Sequence, residues 1–190
     1  MVNKVTTATV IGLEAYNVTV ETDVLNGLPS FSIVGLPDAA INEARDRVRS
    51  AIKNSGFTFP AKKVVINLAP ADLKKEGSNF DLPIAIGLLV EEEVLSEEKV
   101  QNSAFLGELS LDGSLRGVNG VLPLILGLKS FGVKNIFVPE INAQEAALVD
   151  GVNIYGATCL ADVVNHFVES PINPTVVDIN NYLFEGAKQD

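Results

Sequence analysis

Residues 63–89 read KVVINLAPADLKKEGSNFDLPIAIGLL, and this stretch decides the fold. Residues 64–68 are mostly β-branched or apolar, which predicts a buried strand. Pro70 has no backbone N–H to give to a sheet, so the strand must end there. Almost every side chain from residue 82 to residue 90 is apolar, which predicts a helix that is buried on most sides. The stretch is therefore a strand, a charged loop and a buried helix.

The loop that leads into this helix is a natural place for chemistry. The unpaired N–H groups and the dipole of a helix N-terminus favour negative charge. Gly77 permits a sharp turn, and Ser78, Asn79 and Asp81 are all residue types that cap helix N-termini. We therefore expect a side-chain cap from one of these three residues, and capping is the ordinary role for Ser78.

The remaining strands and helices follow from apolar periodicity and from turn residues. Strands are predicted at residues 4–13 and 16–25 with a connection at 14–17, and at residues 30–34, 104–110, 115–118, 136–138 and 152–155. Helices are predicted from Asp38 to Gly56, with a buried stripe of Ile41, Ala44, Val48 and Ile52, and at residues 120–131, 142–148 and 160–167.

Composition limits the class of protein. The chain has 190 residues, of which 47% are hydrophobic, and this suits one domain with a sizeable core. A single cysteine excludes an internal disulfide and makes a zinc cluster implausible. The N-terminus lacks the apolar run of a signal peptide, and no window reaches membrane-spanning length. We expect a cytoplasmic protein with no membrane partner.

Charge is distributed unevenly along the chain. The net charge is -10, which argues against a free-standing nucleic-acid binder. Residues 41–80, however, carry eight bases and four acids, and the remainder carries six bases and 20 acids. The sequence thus predicts a basic sector on an acidic body, which suits contact with phosphate or with an acidic neighbouring subunit.

Within this sector, Arg45, Arg49 and Lys53 recur at four-residue spacing and project from one face of the first helix. With Lys74 and Lys75 of the loop, they are the candidate contacts to DNA or to the next subunit. The alternative is a solvated helix face, partly balanced by nearby acids. The residue pattern leaves both interpretations open.

Two segments resemble the proteolytic domain of Lon proteases. Residues 75–81, KEGSNFD, resemble the loop that carries the Lon nucleophilic serine, and residues 107–139 resemble the segment that carries its catalytic lysine. In this alignment the serine falls on Asn79 and the lysine on Leu122. An amide is not a nucleophile and an aliphatic side chain is not a base, so the resemblance implies a Lon-type fold without its catalytic dyad.

A shifted dyad is the alternative, with Ser78 as nucleophile and Lys74, Lys75 or Lys129 as base. A shift of one residue at a helix start rotates a side chain by about 100° about the axis, which removes it from reach of a fixed base. The sequence therefore favours no catalytic residue in this chain.

A longer resemblance covers nearly the whole chain. The segments at residues 33–57, IVGLPDAAINEARDRVRSAIKNSGF, at residues 66–89, and at residues 105–123, FLGELSLDGSLRGVNGVLP, are similar to the N-terminal domain of the ComM/YifB family of magnesium-chelatase-like AAA+ ATPases. Residues 116–120, RGVNG, depart from the family pattern, which has a proline and a lysine there.

This resemblance implies a non-catalytic accessory domain of an ATPase that forms a hexameric ring and moves DNA strands, with branch migration in DNA uptake and recombination. ATP and magnesium then belong to the AAA+ module, which is also the domain's partner. Two alternatives are kept: a residual Lon-type serine peptidase that uses Ser78, and a subunit of a metal chelatase.

The predicted fold class is α+β: a two-layer domain of the Lon-protease type, with a mixed sheet covered by helices. We expect this domain at residues 1–169 and a tail at residues 170–190 that leads to the AAA+ module. The apolar residues of the tail predict that it packs back on the domain or on a partner; they are Val176, Val177, Ile179, Leu183 and Phe184.

Overall fold

A computed structural model describes residues 2–178. The strands within this range are β1 (Val2–Ile11), β2 (Glu14–Leu25), β3 (Ser30–Val34), β4 (Lys63–Ala69), β5 (Ser103–Phe105), β6 (Glu108–Leu109), β7 (Leu115–Arg116), β8 (Asn135–Pro139) and β9 (Asn153–Ala157). The helices are α1 (Ala39–Asn54), α2 (Asp81–Glu91), α3 (Glu97–Val100), α4 (Val121–Ser130), α5 (Glu140–Ala146) and α6 (Leu160–Val168). No helix in this range is long and apolar enough to span a membrane.

Seven strands form one mixed sheet in the order β3-β4-β2-β1-β5-β8-β9. The β2 strand is antiparallel to both of its neighbours, β1 and β4, and the other four pairings are parallel. Strands β6 and β7 form a separate small antiparallel pair. The mixed sheet predicted from the sequence is thus confirmed, and its pairings are mostly parallel.

The prediction of two layers is wrong, because helices pack on both faces of the sheet. Phe137 belongs to a core cluster with α1, α2 and α6, whereas its neighbours Ile136 and Val138 belong to a second cluster with α4 and α5. Successive side chains of a strand point to opposite faces, so the two clusters lie on opposite sides. The domain is therefore a three-layer mixed α/β structure where α4 and α5 cover the second face of the sheet.

Several element boundaries differ from the sequence predictions, two of them for identifiable reasons. Residues 14–17 belong to β2 and pair with β1, so the hairpin turns at Gly12 and Leu13 instead. The strand predicted at 104–110 ends at Phe105, and a new strand begins at Glu108. The interruption has a long-range cause, since Gly107 leaves the sheet to bond with the start of α2.

The first helix forms as predicted. The Asp38 carboxylate accepts a hydrogen bond from the Ile41 N–H at 2.9 Å, which is a side-chain N-cap. All four residues of the predicted stripe, Ile41, Ala44, Val48 and Ile52, are buried. Gly56 follows the helix with a φ of +85°, a left-handed conformation that glycine adopts without steric cost.

Helix α2 ends in a Schellman motif that has glutamate where glycine is usual. The Val94 N–H donates to the Leu89 carbonyl and the Glu93 N–H to the Val90 carbonyl, both at 3.0 Å. Glu93 occupies the left-handed position of this motif, with a φ of +62°. A residue with a Cβ pays about 1–2 kcal/mol for that conformation.

Replacing Glu93 by glycine is therefore expected to stabilise the protein. The relief of left-handed strain exceeds the entropy that glycine adds to the unfolded chain, and we expect a net gain of about 1 kcal/mol in the free energy of unfolding. Urea denaturation measures this gain, with Glu92→Gly as the control, because Glu92 has a φ of -82° and gains nothing from glycine. A loss of stability in Glu93→Gly would contradict the strain argument.

The described part of the tail packs against the domain. The Ile172 N–H donates to His166 Nδ1 at 2.9 Å, and the Thr175 N–H donates to the Ile154 carbonyl of β9 at 2.7 Å. The prediction that the tail packs back on the domain is thus confirmed for this part, although Val176 is 91% exposed. Ile179, Leu183 and Phe184 lie outside the described residues, and the domain boundary after residue 169 stays a prediction.

Candidate functional site

The loop at residues 70–80 is held against two other segments of the chain. The Lys75 backbone N–H donates to the Leu36 carbonyl at 3.0 Å, and the Lys75 carbonyl accepts from the Asp38 N–H at 3.1 Å. The Thr9 hydroxyl donates to the Glu76 carbonyl at 2.9 Å. The loop therefore lies between the N-terminus of α1 and strand β1, at the start of the buried helix α2.

Asn79, at the position that matches the Lon nucleophile, is a buried structural residue. Its Nδ2 donates to the Ala8 carbonyl at 2.9 Å and lies 3.4 Å from Thr7 Oγ1. Only 5% of the residue is exposed. The amide thus ties the loop to β1, and it offers no group that attacks a carbonyl.

Leu122, at the position that matches the Lon lysine, lies apart from the cleft beside Asn79. Asn79 lines an open cleft of about 330 Å³ that is also lined by Val10, Asp38, Glu76, Gly77, Asn119 and Leu124. Leu122 packs against the second core cluster and lines a different groove, which begins at the β1–β2 turn. Among the described residues, the walls of this cleft carry no lysine or histidine, so a lysine base of the Lon type is missing beside Asn79.

The prediction that Ser78, Asn79 or Asp81 caps helix α2 is wrong. Phe80 occupies the N-cap position, and no side chain caps the helix. The Leu82 N–H instead donates to the backbone carbonyl of Gly107 at 3.0 Å. A buried helix start needs a partner for its N–H groups, and a distant loop supplies it here. Ser78 is half-buried and forms no hydrogen bond with a lysine within residues 2–178, which leaves the shifted dyad without a base.

Asp81 has a different partner, which the sequence did not reveal. Arg47 of α1 donates to it through Nε at 2.7 Å and Nη2 at 3.1 Å, and the Leu109 N–H donates to the same carboxylate at 3.0 Å. Only 1% of Asp81 is exposed. Burial is the largest influence and raises the pKa of the Asp81 carboxyl, although Arg47 opposes it. The pKa of Arg47 is raised in turn by its hydrogen bond to Asp81.

The prediction that Lys75 contacts DNA or a subunit is also wrong in this structure. The Lys75 side chain is fully buried, and its Nζ donates to the Gly35 carbonyl at 2.8 Å and to the Pro70 carbonyl. Burial lowers the pKa of this ammonium group. The charge of Lys75 thus joins the loop to the segment before α1, while its neighbour Lys74 is exposed.

The basic row on α1 is where the sequence placed it. Arg45 and Lys53 are exposed, and Arg49 is half-buried because its guanidinium lies 5.2 Å from the Phe59 ring centroid and 5.9 Å from that of Phe31. Arg45 Nε donates to the Asn42 carbonyl at 3.1 Å. Packing against the two rings therefore restricts the Arg49 side chain, so the row is not fully solvated.

Arg49 and Lys53 line an open cleft of about 400 Å³ together with Lys62. Lys62 is one of the eight bases counted in residues 41–80, but it was not predicted as a contact residue. It lies nine residues after Lys53 along the chain, so the sequence does not show that the two are close. None of the described residues that line this cleft is acidic. Three cations around one cleft offer phosphate or carboxylate a favourable potential.

The described residues show no metal centre. No three His, Cys, Asp or Glu side chains within residues 2–178 are placed to hold an ion. His166 packs among the rings of Phe137, Tyr155 and Phe167, and burial lowers its pKa. Residues 127–130, which resemble a phosphate-binding loop in composition, lie inside helix α4. Neither the surroundings of His166 nor residues 127–130 therefore form a site that fits ATP or magnesium.

Comparison with known proteins identifies relatives over most of the chain. Residues 20–142 match the family model described as subunit ChlI of Mg-chelatase. Competence protein ComM of Haemophilus influenzae is 47% identical over 81% of the chain, which covers 30% of that protein. The uncharacterized protein YifB of Escherichia coli is 48% identical over 76% of the chain and is covered to 28%. The chain thus spans about a third of the length of these curated relatives.

A weaker similarity connects the chain with a protease. Lon protease 2 of Bacillus subtilis is 25% identical over 66% of the chain, which covers 22% of that protein. This agrees with the resemblance to Lon proteases at the level of the whole domain.

Proposed function

Because the chain belongs to the Mg-chelatase ChlI-like family together with ComM and YifB, we propose that it is a non-catalytic N-terminal domain of an AAA+ ATPase. In this role it supports ring assembly and engages DNA, while an AAA+ module with ATP and magnesium remodels the DNA, as in branch migration during DNA uptake and recombination. The observation that carries the non-catalytic part is Asn79, an amide turned inward to β1 where a nucleophile would stand.

The basic row supports the DNA-engaging part of the proposal. Arg45, Arg49, Lys53 and Lys74 each carry a charge that reaches solvent at least in part. DNA phosphates attract such groups through counterion release, which makes binding steeply dependent on salt. The acidic remainder of the chain limits this attraction to one sector.

Reversing the row is expected to weaken DNA binding. In a full-length protein that contains this domain, we expect Arg45→Glu, Arg49→Glu and Lys53→Glu together to reduce the slope of log affinity against log salt by about 2–3, because each lost phosphate contact removes about 0.9. Fluorescence anisotropy with branched DNA at several salt concentrations measures the slope. The control reverses Lys4, Lys129 and Lys134, which are exposed elsewhere and change the net charge equally. Equal slopes in both triple variants would refute the role of the row.

Deletion of residues 1–170 tests the proposal as a whole. We expect the shortened protein to lose ring assembly, branched-DNA unwinding, or both, when compared with the intact protein. The residual peptidase is tested in parallel with an active-serine probe. Labelling of the domain that Ser78→Ala abolishes would contradict the non-catalytic role.

A further inference from the structure

An open groove of about 630 Å³ lies where α2 ends, beside the start of β1 and the end of α6. Part of its wall is apolar and accessible, with Val2 49% and Val168 61% exposed. Glu91, Glu93 and Glu97 also line it, against one base, Lys99. The groove therefore combines an apolar floor with a negatively charged rim.

Glu93 and Glu97 on this rim form no ion pair within residues 2–178. Glu91 differs, since it accepts a hydrogen bond from Asn3 Nδ2 at 2.7 Å. Glu93 keeps its carboxylate at a left-handed position, φ +62°, where glycine would be less strained. Glu93 thus combines a strained backbone with a carboxylate that has no ion-pair partner in the described residues. This combination favours a partner for the carboxylate outside the domain.

A second surface has the complementary character. The turn between β2 and β3 presents Leu28, whose side chain is 88% exposed. Lys62 and Lys63 flank this turn: the Lys62 carbonyl accepts from the Ser30 N–H at 3.3 Å, and Lys63 pairs with Ser30 in the sheet. Both lysines are exposed and form no ion pair within the described residues. The turn is thus an apolar knob between two positive charges.

The knob and the groove lie at the same end of the sheet. Lys63 pairs with Leu25 at the end of β2, and Asp23 near that end pairs with Val2 at the start of β1. Three strand spacings separate β3 from β1, which is roughly 14 Å sideways. The knob is therefore too far from the groove of the same copy to fill it. A second copy placed beside the first brings its own groove next to that knob.

We propose that Leu28 of one copy of this chain inserts into the groove of the next copy, with Lys62 and Lys63 opposite Glu93 and Glu97. Such a contact joins two different surfaces, so it is heterologous and propagates into a ring when the rotation closes. DNA does not fit the groove, because its acidic rim repels phosphate, and the described tail bonds to β9 instead. The inference deepens the assembly part of the proposed function and rests on it.

Charge exchange tests the contact. Variant A carries Lys62→Glu and Lys63→Glu, and variant B carries Glu93→Lys and Glu97→Lys. Each variant alone places like charges across the contact, so we expect its self-association to weaken by about tenfold or more in sedimentation equilibrium. An equimolar mixture restores association, because the knob of A then meets the groove of B and the knob of B meets the groove of A. Misfolding of either variant cannot produce that recovery.

The control reverses Lys134 and Glu145, two exposed charges that do not belong to the turn or line the groove, and is expected to associate as the unchanged chain does. Glu93→Gly supplies a second readout, since it is expected to raise the melting temperature yet to weaken association. A Glu93→Gly chain that associates normally would count against the contact.

Cross-linking identifies the surfaces directly. In a Cys159→Ser background, Leu28→Cys mixed with Val168→Cys is expected to form an intermolecular disulfide that neither variant forms alone. The contact is overturned if Leu28→Cys links to itself, or if the mixture of A and B associates no better than either variant. If the full-length protein forms rings in either case, the proposed function survives and only this interface fails. If it forms no rings, the assembly role itself is refuted.

Discussion

Replacing Arg47 by leucine is expected to lower the free energy of unfolding by about 3–5 kcal/mol. Arg47 is the bidentate partner of Asp81, a carboxylate that is only 1% exposed. Without Arg47 the carboxylate keeps only the Leu109 N–H as a donor, so an uncompensated charge is left in the core. Urea denaturation, followed by circular dichroism, measures the difference from the unchanged protein.

Two further variants separate this charge effect from loss of packing. Arg45→Leu removes an exposed arginine from the same helix and is expected to cost less than about 0.5 kcal/mol. Asp81→Asn in the Arg47→Leu background keeps an acceptor for Leu109 and removes the charge, so we expect it to recover part of the loss. If the double variant is no more stable than Arg47→Leu, the loss does not come from the buried charge.

The deficit of Arg47→Leu is also expected to depend on pH. Burial already raises the pKa of Asp81 above its ordinary value of 3.8, and removal of Arg47 raises it further. A carboxyl whose pKa is raised in the folded state is protonated there more readily than in the unfolded chain. Its burial therefore becomes more costly as pH rises from 3.8 through the folded-state pKa. We expect the difference between variant and unchanged protein to be smaller at pH 4 than at pH 7.

The sequence predicted those elements whose determinants are local. Asp38 and the spacing of Ile41, Ala44 and Val48 define α1 within a few residues, and the structure confirms each of them. Strand β4 forms at residues 63–69 and stops before Pro70, as the apolar run predicts, although its positions alternate between buried and partly exposed. In both elements the side-chain pattern lies within one segment, so the sequence of that segment is enough to predict the element.

Features that depend on distant partners were not predictable. Three residues of types that cap helices stand at the start of α2, yet the Gly107 carbonyl bonds to its first turn, because the fold brings this carbonyl within 3.0 Å of the Leu82 N–H. Lys75 looks like a surface base in the sequence, but the Gly35 and Pro70 carbonyls surround its ammonium. Charge and capping propensity describe what a side chain is able to do, whereas burial decides which partner it meets.

The candidate site divides in the same way. Asn79 and Leu122 were located by the resemblance to Lon proteases, and their residue types predicted a missing dyad, because an amide is not a nucleophile and an alkyl group is not a base. The structure adds where the amide goes, namely to the Ala8 carbonyl of β1. The Asn79 side chain is thus part of the packing between the loop and the sheet, where it stabilises the fold.

Gly35→Ala is expected to destabilise the protein by about 2–5 kcal/mol, because two separate costs add at this position. Gly35 has a φ of +100°, which L residues rarely adopt, and an added Cβ would lie 2.3 Å from the Leu68 carbonyl oxygen. The obstacle is backbone of β4, a strand paired on both sides, so it cannot rotate away as a side chain would. Gly12→Ala is the matched control, since Gly12 also has a positive φ, +65°, but has open space at the Cβ position. We expect it to cost only about 1 kcal/mol in thermal denaturation. Similar losses in the two variants would show that the close approach of residue 35 to β4 contributes nothing to holding the loop that carries Lys75.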